Sequence, residues 1–234
     1  MNDAEGYNER LFSRGIRARM HLARFAWLKQ VASSYDCGQP QRVVELGCFD
    51  GRSIEWLPFK LALYDGFDAN WEGGLDIGRK YYSGKENIHF HQCSTPNEMA
   101  LHIGRYDIAI SLETMEHVPS HMVADYLSIL ANNTSKAAFF SVPNEIGLPF
   151  FAKYAAKKLF YRDSKDEPYS FTEFWNEVIG QTDKVHRNEH KGFDFRQFIQ
   201  QVENRFVIKK ITGIPFYWLP ASLSFTIGIV AEPK

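Results

Sequence analysis

Glu113, Glu116 and His117 stand three and four residues apart in the stretch Ser111-Leu112-Glu113-Thr114-Met115-Glu116-His117-Val118-Pro119. Residues at that spacing share one face of a helix, so a helical turn here brings two carboxylates and an imidazole together. Such a group repels itself unless it is solvated, protonated or bound to a cation. Two chemistries are open to it. A hard divalent ion such as Mg²⁺ takes the carboxylate oxygens, and borderline metals accept histidine more readily. Without a metal, an imidazole with a pKa near neutrality suits removal of the proton from an attacking hydroxyl. The plain alternative is that Glu113 lines a ligand pocket and His117 only touches the ligand.

A second constellation begins at Val43-Val44-Glu45-Leu46-Gly47-Cys48-Phe49-Asp50-Gly51. An apolar run ends in an acidic residue and a two-glycine turn, and a helix-compatible segment starts at Arg52. A buried parallel strand has this pattern when it delivers a tight loop to a helix. Glycine lacks a Cβ, so the backbone can approach a ligand and φ can turn positive. Rossmann-like folds hold nucleotide cofactors at such turns. The spacing is neither Gly-x-Gly-x-x-Gly nor a phosphate-cradling loop. Glu45 can accept hydrogen bonds from a cationic ligand at the strand end. Asp50 brings a negative charge that opposes a pyrophosphate and suits a sulfonium or amino group. Asp68 closes Gly66-Phe67-Asp68-Ala69, roughly twenty residues on, where a carboxylate can pair with both hydroxyls of a ribose.

These residues need a sheet to position them. Strand-like segments at Val43–Leu46, Leu61–Phe67, Ile88–Gln92, Tyr106–Leu112 and Lys136–Val142 alternate with helical ones, which predicts βαβ units and a mostly parallel sheet. Thr95-Pro96-Asn97-Glu98 reads as a capping box with proline at the first helical position. A helix is expected over about Glu9 to Ser34, with Ile16, Met20, Ala23, Trp27 and Val31 inward and Arg10, Arg14, Arg17, Arg19, Arg24 and Lys29 solvated. After strand five the alternation stops. Asn144 to Glu189 is rich in aromatics, among them Phe150, Phe151, Tyr154, Phe160, Tyr161, Tyr169, Phe171, Phe174 and Trp175. So long a segment rarely stays structureless, so helices are expected, packed on the sheet edge or forming a substrate cap. Arg196 to Val202 continues a helix. Phe206–Ile211 and Leu223–Val230 read as a closing antiparallel pair at the sheet edge.

With 234 residues, 44% apolar and 24% charged, the chain suits one globular α/β domain over 1–234. A net charge of −1 provides no global field to gather nucleic acid or anionic membrane. Three widely spaced cysteines, without a Cys-x-x-Cys pair, point away from a disulfide framework and toward a reducing, cytoplasmic setting. The polar start Met1-Asn2-Asp3-Ala4-Glu5 is no signal peptide, and no apolar run is long enough to span a membrane.

The Glu45–Gly51 turn resembles the first motif of the class I S-adenosylmethionine (SAM)-dependent methyltransferases, usually acidic-x-Gly-x-Gly-x-Gly, with Phe49 in place of the middle glycine. The resemblance implies that SAM lies across Glu45, Gly47, Cys48, Phe49, Asp50 and Gly51. It places the ribose on Asp68 beside Ala69, the adenine near Cys93 and Ser94, and Leu112 and Glu113 along the pocket. Cys93 and Ser94 depart from the acid often found after strand three. Glu-x-x-Glu-His resembles the ubiquinone-pathway O-methyltransferases and the small-RNA 2′-O-methyltransferases. In the latter both glutamates, the histidine and a later histidine bind a metal. Asn188-Glu189-His190-Lys191-Gly192-Phe193-Asp194 looks like the segment bearing that later histidine, and Ser141-Val142-Pro143-Asn144-Glu145 resembles the end of their strand five. The resemblance covers about residues 40 to 145 and 186 to 205. It makes Glu113, Glu116, His117 and His190 candidate ligands of a divalent metal, and Glu116, His117 and His190 candidate catalytic residues; His186 is a poorer fourth ligand.

The resulting expectation is a Rossmann-like, seven-stranded, mostly parallel sheet with helices on both faces and an antiparallel edge strand. Its function is SAM-dependent O-methylation of a sugar or other polyhydroxyl small molecule, such as a glycan. The rivals are an RNA 2′-O-methyltransferase and a non-catalytic SAM-binding scaffold.

Overall fold

Apolar runs in the first half of the chain are buried on both faces, as parallel strands covered by helices must be. The computed structural model of the chain describes residues 16–160, 168–188 and 190–234. Its strands are β1 (Gln41–Leu46), β2 (Leu61–Asp68), β3 (Ile88–Gln92), β4 (Tyr106–Leu112), β5 (Thr134–Pro143), β6 (Phe206–Ile214) and β7 (Thr226–Pro233). They form one sheet in the order β3-β2-β1-β4-β5-β7-β6. β1 to β5 are mutually parallel. β7 runs antiparallel between β5 and β6, one strand in from the edge. The chain winds outward from β1 to β3, then returns to β4 on the other side of β1. That reversal makes the C-terminal ends of β1 and β4 adjacent, the place at which open α/β sheets hold their ligands.

The helices are α1 (Ile16–Ala32), α2 (Gly74–Tyr81), α3 (Pro96–His102), α4 (Ser120–Asn133), α5 (Gly147–Phe160), α6 (Phe171–Val178) and α7 (Phe195–Arg205). Each sheet face has its own core. On one, Met99, Val123, Leu127, Leu130, Phe198 and Val202 from α3, α4 and α7 meet Val44, Ala109 and Phe140. On the other, Phe25, Trp27, Leu28 and Ala32 of α1 and Leu75 of α2 meet Val43, Tyr64, Ile108 and Phe139. Fully burying one such side chain contributes roughly 1.5–3 kcal/mol.

Several expectations shift in detail. The expected helix start at Glu9, Arg10, Arg14, Tyr161 and Glu189, and the side chains of Arg17 and Phe160, lie outside the described residues. On α1 the buried residues are Ala18, Phe25, Trp27, Leu28 and Ala32. Met20, Ala23 and Val31 are only partly covered. The helix is turned from the expected face because its largest side chains, rather than the most regular stripe, enter the core. Arg52–Trp56 is a five-residue 3₁₀ turn rather than a helix. Pro58 follows closely and restricts Leu57 to an extended conformation. The last strand begins at Thr226 rather than Leu223, since Ala221–Leu223 forms a 3₁₀ turn. Asn144 fastens that turn, donating from Nδ2 to the carbonyls of Ser222 at 2.9 Å and Ser224 at 3.0 Å.

The segment after β5 is helical, as its length demanded. Ser170 and Glu173 form a capping box at the start of α6. The rings of Phe150, Tyr154, Tyr169 and Phe174 pack on one another with centroids 4.9–5.9 Å apart.

Candidate active site

The β1 turn is tight because the loop leaving β4 packs directly on it. Gly47 has φ 76°, and a Cβ there would lie 2.0 Å from Thr114 Oγ1. Gly51 has φ 74°, and its Cβ would strike the Phe90 ring at 2.7 Å. Phe49 takes a positive φ of 48° without being glycine. Its ring fills the space over Gly74 at the start of α2, where a Cβ would be 2.3 Å from Phe49 Cδ2. Cys48 is buried against Gly66.

Asp68 is fixed in place by two backbone donors, Phe49 N at 3.1 Å to Oδ2 and Asn70 N at 2.7 Å to Oδ1. Each oxygen retains a lone pair for a further donor. Burial pushes its pKa up, against those two hydrogen bonds. Ala69 beside it is half-buried. At the end of β3, Cys93 is buried and donates to the Thr95 carbonyl at 3.1 Å, while Ser94 is exposed. The helix start there is half a capping box: Thr95 Oγ1 accepts from Glu98 N, but Glu98 reaches Ser94 N instead of Thr95 N.

Two acidic residues differ from the sequence reading. Glu45 points inward and accepts hydrogen bonds from Ser53 and Tyr64 on one oxygen. Burial raises its pKa to about 7, outweighing those two hydrogen bonds. Asp50 accepts from Arg52 N at 3.1 Å and pairs with Arg52 Nη2 at 3.3 Å. Its charge is therefore shared with Arg52 within the turn.

The Glu113–His117 constellation is carried by a turn and not a helix. Leu112 ends β4 and is buried; Glu113 follows with φ 52° and donates its N–H to the Ser141 carbonyl at 2.8 Å. His117 N then closes on the Thr114 carbonyl at 2.9 Å. Glu113 Oε1 accepts from Ser141 Oγ at 3.2 Å. Glu116 is 1% exposed, and among the described residues neither of its carboxylate oxygens has a hydrogen-bond partner. Burial, then the neighbouring Glu113, drives its pKa well above the usual carboxylate range. Burial also raises Glu113, against the charges of Arg24 and Lys153.

His190 comes to the same place from the loop before α7. Its ring meets that of His117 edge-on, with centroids 4.6 Å apart. Ligand atoms of Glu116, His117 and His190 all lie within 4.8 Å of one another. Glu113 is not part of this group. His186 is not either; its N–H donates to Glu173 Oε1 at 3.3 Å. Desolvation by burial, then the neighbouring His117, Lys153, Lys157 and Arg187, lowers the pKa of His190, while the ring keeps 47% of its side-chain surface open.

Three site residues escaped the sequence reading. Arg24, expected in solvent, has a buried Nε without a partner. Its charge lowers the pKa values of Glu45, Glu113 and Glu116. Glu145, just past β5, lies 3.6 Å from His190 Nδ1 and pairs with Lys153 of α5 at 2.8 Å. Arg187 donates from Nη2 to the Glu116 carbonyl at 2.8 Å and lies over the Phe193 ring at 4.7 Å. The position of Glu145 directly after Pro143-Asn144 was the one available signal. An arginine on an amphipathic helix carries none.

No protein-family model and no curated protein matches the chain. Solved structures do resemble it. Magnesium protoporphyrin IX methyltransferase from Synechocystis PCC 6803, with bound SAH, has 14% identity over 99% of this chain and 96% of its own, with a TM-score of 0.60. The methyltransferase domain of a bacterial Hen1 has 16% identity over 91% and 99%, with a TM-score of 0.59. The N-methyltransferase NodS from Bradyrhizobium japonicum WM9 has 9% identity over 92% and 98%, with a TM-score of 0.56. At such identities the likeness is one of fold. The sheet order and these neighbours show that the chain has the Rossmann-like fold of the class I SAM-dependent methyltransferases.

Proposed function

We propose that the protein transfers the methyl group of SAM to a hydroxyl of a sugar or other polyhydroxyl small molecule. The observation that carries the reading is the meeting, within 4.8 Å, of Glu116 and His117 on the loop that packs against the β1 turn with His190 from the loop before α7. SAM supplies the activated methyl group. The chain's part is to position it: the Gly47–Gly51 turn provides close backbone approach, Asp68 the acceptor for the ribose diol, and Arg24 a cation for a carboxylate. Positioning of this kind supplies much of the acceleration of an in-line transfer.

The hydroxyl must lose its proton as it attacks, and the site offers two ways. His190, whose Nδ1 lies 3.6 Å from Glu145 Oε1, can accept the proton at the imidazole. The residues also fit a divalent ion. Glu116 carries two buried oxygens without hydrogen bonds, which is costly unless a cation or a proton sits on them. Glu116, His117 and His190 would hold the ion, with Glu113 behind them. Such an ion lowers the pKa of a bound hydroxyl, and vicinal hydroxyls chelate it well.

Support for a second acceptor, the ribose end of an RNA, comes from the Hen1 neighbour and from Lys153, Lys157 and Arg187 around His190. A net charge of −1 weighs against it. The deciding experiment incubates the protein with methyl-labelled SAM and two acceptor sets, free glycosides and short RNA. Label on a glycoside hydroxyl is the expected result; label on RNA alone would transfer the reading to the second acceptor. Absence of SAH binding in a calorimeter would refute both.

A further inference from the structure

α5 and α6 turn apolar residues toward solvent. Leu148, Phe151 and Leu159 of α5, with Phe171 and Trp175 of α6 and Ile179 at its end, are between 45% and 80% exposed. Their spacings keep each set on one side of its helix, and Ala152 and Ala155 complete the α5 stripe. Folding already uses the opposite sides, where Phe150 and Glu177 are buried and the rings of Phe150, Tyr154 and Phe174 meet. The two stripes form one surface. Phe151 and Trp175 both pack on the Phe174 ring, with centroids 6.2 and 5.4 Å from it. The end of α6 meets the start of α5, where a Cβ on Gly147 would lie 4.0 Å from the Val178 carbonyl oxygen. A contiguous apolar surface of this kind marks contact with another body.

Charge decides between the candidate occupants. α5 has three lysines and no acid. Lys153 is held by Glu145 at 2.8 Å. Lys157 and Lys158 occupy the last turn beside Leu159, Lys158 Nζ lying 5.6 Å from the centre of the Tyr154 ring. Both acids of α6 are engaged or covered: Glu173 pairs with Lys191 at 3.0 Å, and Glu177 is buried. Residues 161–167, which link the helices, carry charges of both signs. Among the described residues, the outward surface of the two helices is thus apolar with a cationic end. A second copy seated on it would meet a rim of its own sign, whereas a bilayer with anionic headgroups matches both features. Lysine stems can lie along the apolar region while their ammonium groups reach the headgroups. The attraction is local to α5, since a net charge of −1 gives no global field. No described helix is long and apolar enough to cross a membrane, so the contact is one of surfaces.

We propose that the outward face of α5 and α6 is a docking surface for an anionic lipid bilayer. The Phe, Trp, Leu and Ile side chains of the two stripes enter the boundary between headgroups and acyl chains, and Lys157 and Lys158 lie against the headgroups. The same α5 holds Lys153 on Glu145, which lies beside His190, so docking brings the candidate site to the membrane surface.

The test is co-sedimentation of the full chain with two kinds of vesicle, phosphatidylcholine alone and equal parts of phosphatidylcholine and phosphatidylserine. The protein should sediment with the mixed vesicles and remain in solution with the neutral ones. Leu159→Ser combined with Phe171→Ser should weaken that binding about tenfold or more, and Lys158→Glu about fivefold or more. All three positions are exposed, so both variants should keep the melting temperature of the parent, which separates a lost surface from a lost fold. Protein that sediments with neither vesicle would overturn the proposal. Binding that survives Leu159→Ser with Phe171→Ser would overturn the surface, and equal binding to both vesicles would overturn the anionic class. A dimer in solution that those two substitutions dissolve, without any sedimentation on vesicles, would give the face to a second copy and overturn the bilayer. None of these outcomes depends on methyl transfer.

Discussion

Gly47→Ala tests whether the two constellations are one mechanical unit. The substitution carries two costs. The first is backbone: at φ 76° an L-residue in the left-handed region costs roughly 1–2 kcal/mol. The second is contact. The new Cβ would stand 2.0 Å from Thr114 Oγ1, 2.3 Å from Cγ2 and 2.7 Å from Cβ, against about 3.5–4.0 Å for an ordinary carbon contact. Thr114 cannot give way alone. Its hydroxyl donates to the Leu112 carbonyl at 3.2 Å and its carbonyl accepts from His117 N at 2.9 Å, so the whole Glu113–His117 turn must shift. Overpacking of that kind costs about 1–3 kcal/mol. Together the two predict a loss of about 2–5 kcal/mol in a urea titration, out of the 5–15 kcal/mol of a normal domain. SAH affinity should fall with it. Thr114→Ala in the same chain removes the two nearest atoms and should recover about 1 kcal/mol of the loss, seen as coupling in the double-mutant cycle. Strict additivity of the two substitutions would refute the contact between turn and loop, and an unchanged stability in Gly47→Ala would refute the backbone term too.

Asp68→Ala should weaken SAH binding by about 1–3 kcal/mol, or roughly 5- to 150-fold, because the ribose hydroxyls lose their acceptor; calorimetry showing equal affinity would remove Asp68 from the site. If a metal operates, a chelator abolishes turnover, a divalent ion restores it, and Glu116→Ala, His117→Ala and His190→Ala are all severely impaired. If His190 is the base, the chelator does nothing and His190→Ala loses about 10²–10⁴-fold with an altered pH profile. Burial, with Glu145 and Asp194 nearby, lifts Glu177 to about 8 from 4.5, against a hydrogen bond from Gly192. The folded state therefore keeps this proton longer than the unfolded chain, and the penalty is absent below about pH 4.5 and grows as the pH rises to about 8. Glu177→Gln should stabilise the protein by at most about 3 kcal/mol at pH 7 and by nothing near pH 4.5; a stability difference that is flat with pH would disprove the titration.

The sheet was legible because its strands carry their own signature. Ile88–Gln92 and Tyr106–Leu112 are bounded in the structure as they are in the sequence, since apolar residues alternate with polar ones in the first and nearly fill the second. The turn at Gly47 and the acid at Asp68 were legible for the same reason: strand ends deliver them. What could not be read was how each polar group is matched. Glu45 and Asp50 look like open acids in the sequence, yet Ser53, Tyr64 and Arg52 engage them. Those partners lie within twenty residues, but nothing in their spacing says that a 3₁₀ turn rather than a helix follows Gly51, and the turn is what brings Ser53 to Glu45.

Charge balance at the candidate site shows the same limit over longer distances. The carboxylates of Glu113, Glu116 and Glu145 gather where β4 and β5 end, and their compensation comes from elsewhere: Arg24 from α1, Lys153 from α5, and Arg187 from the loop that also carries His190. Each of these cations has an ordinary local explanation as the solvated face of a helix or a charged loop. Their role appears only when the topology folds α1 over one face of the sheet and the post-β5 helices across its C-terminal end. Glu113 and Glu116 came from one strand-end motif and were recognisable; the cations came from three elements chosen by packing. A buried carboxylate such as Glu116 makes the distinction chemically important. Its two oxygens have no hydrogen bond among the described residues, and Arg24 counters the rise in its pKa that burial and Glu113 impose. Residues outside the motif therefore set the chemistry that the motif performs.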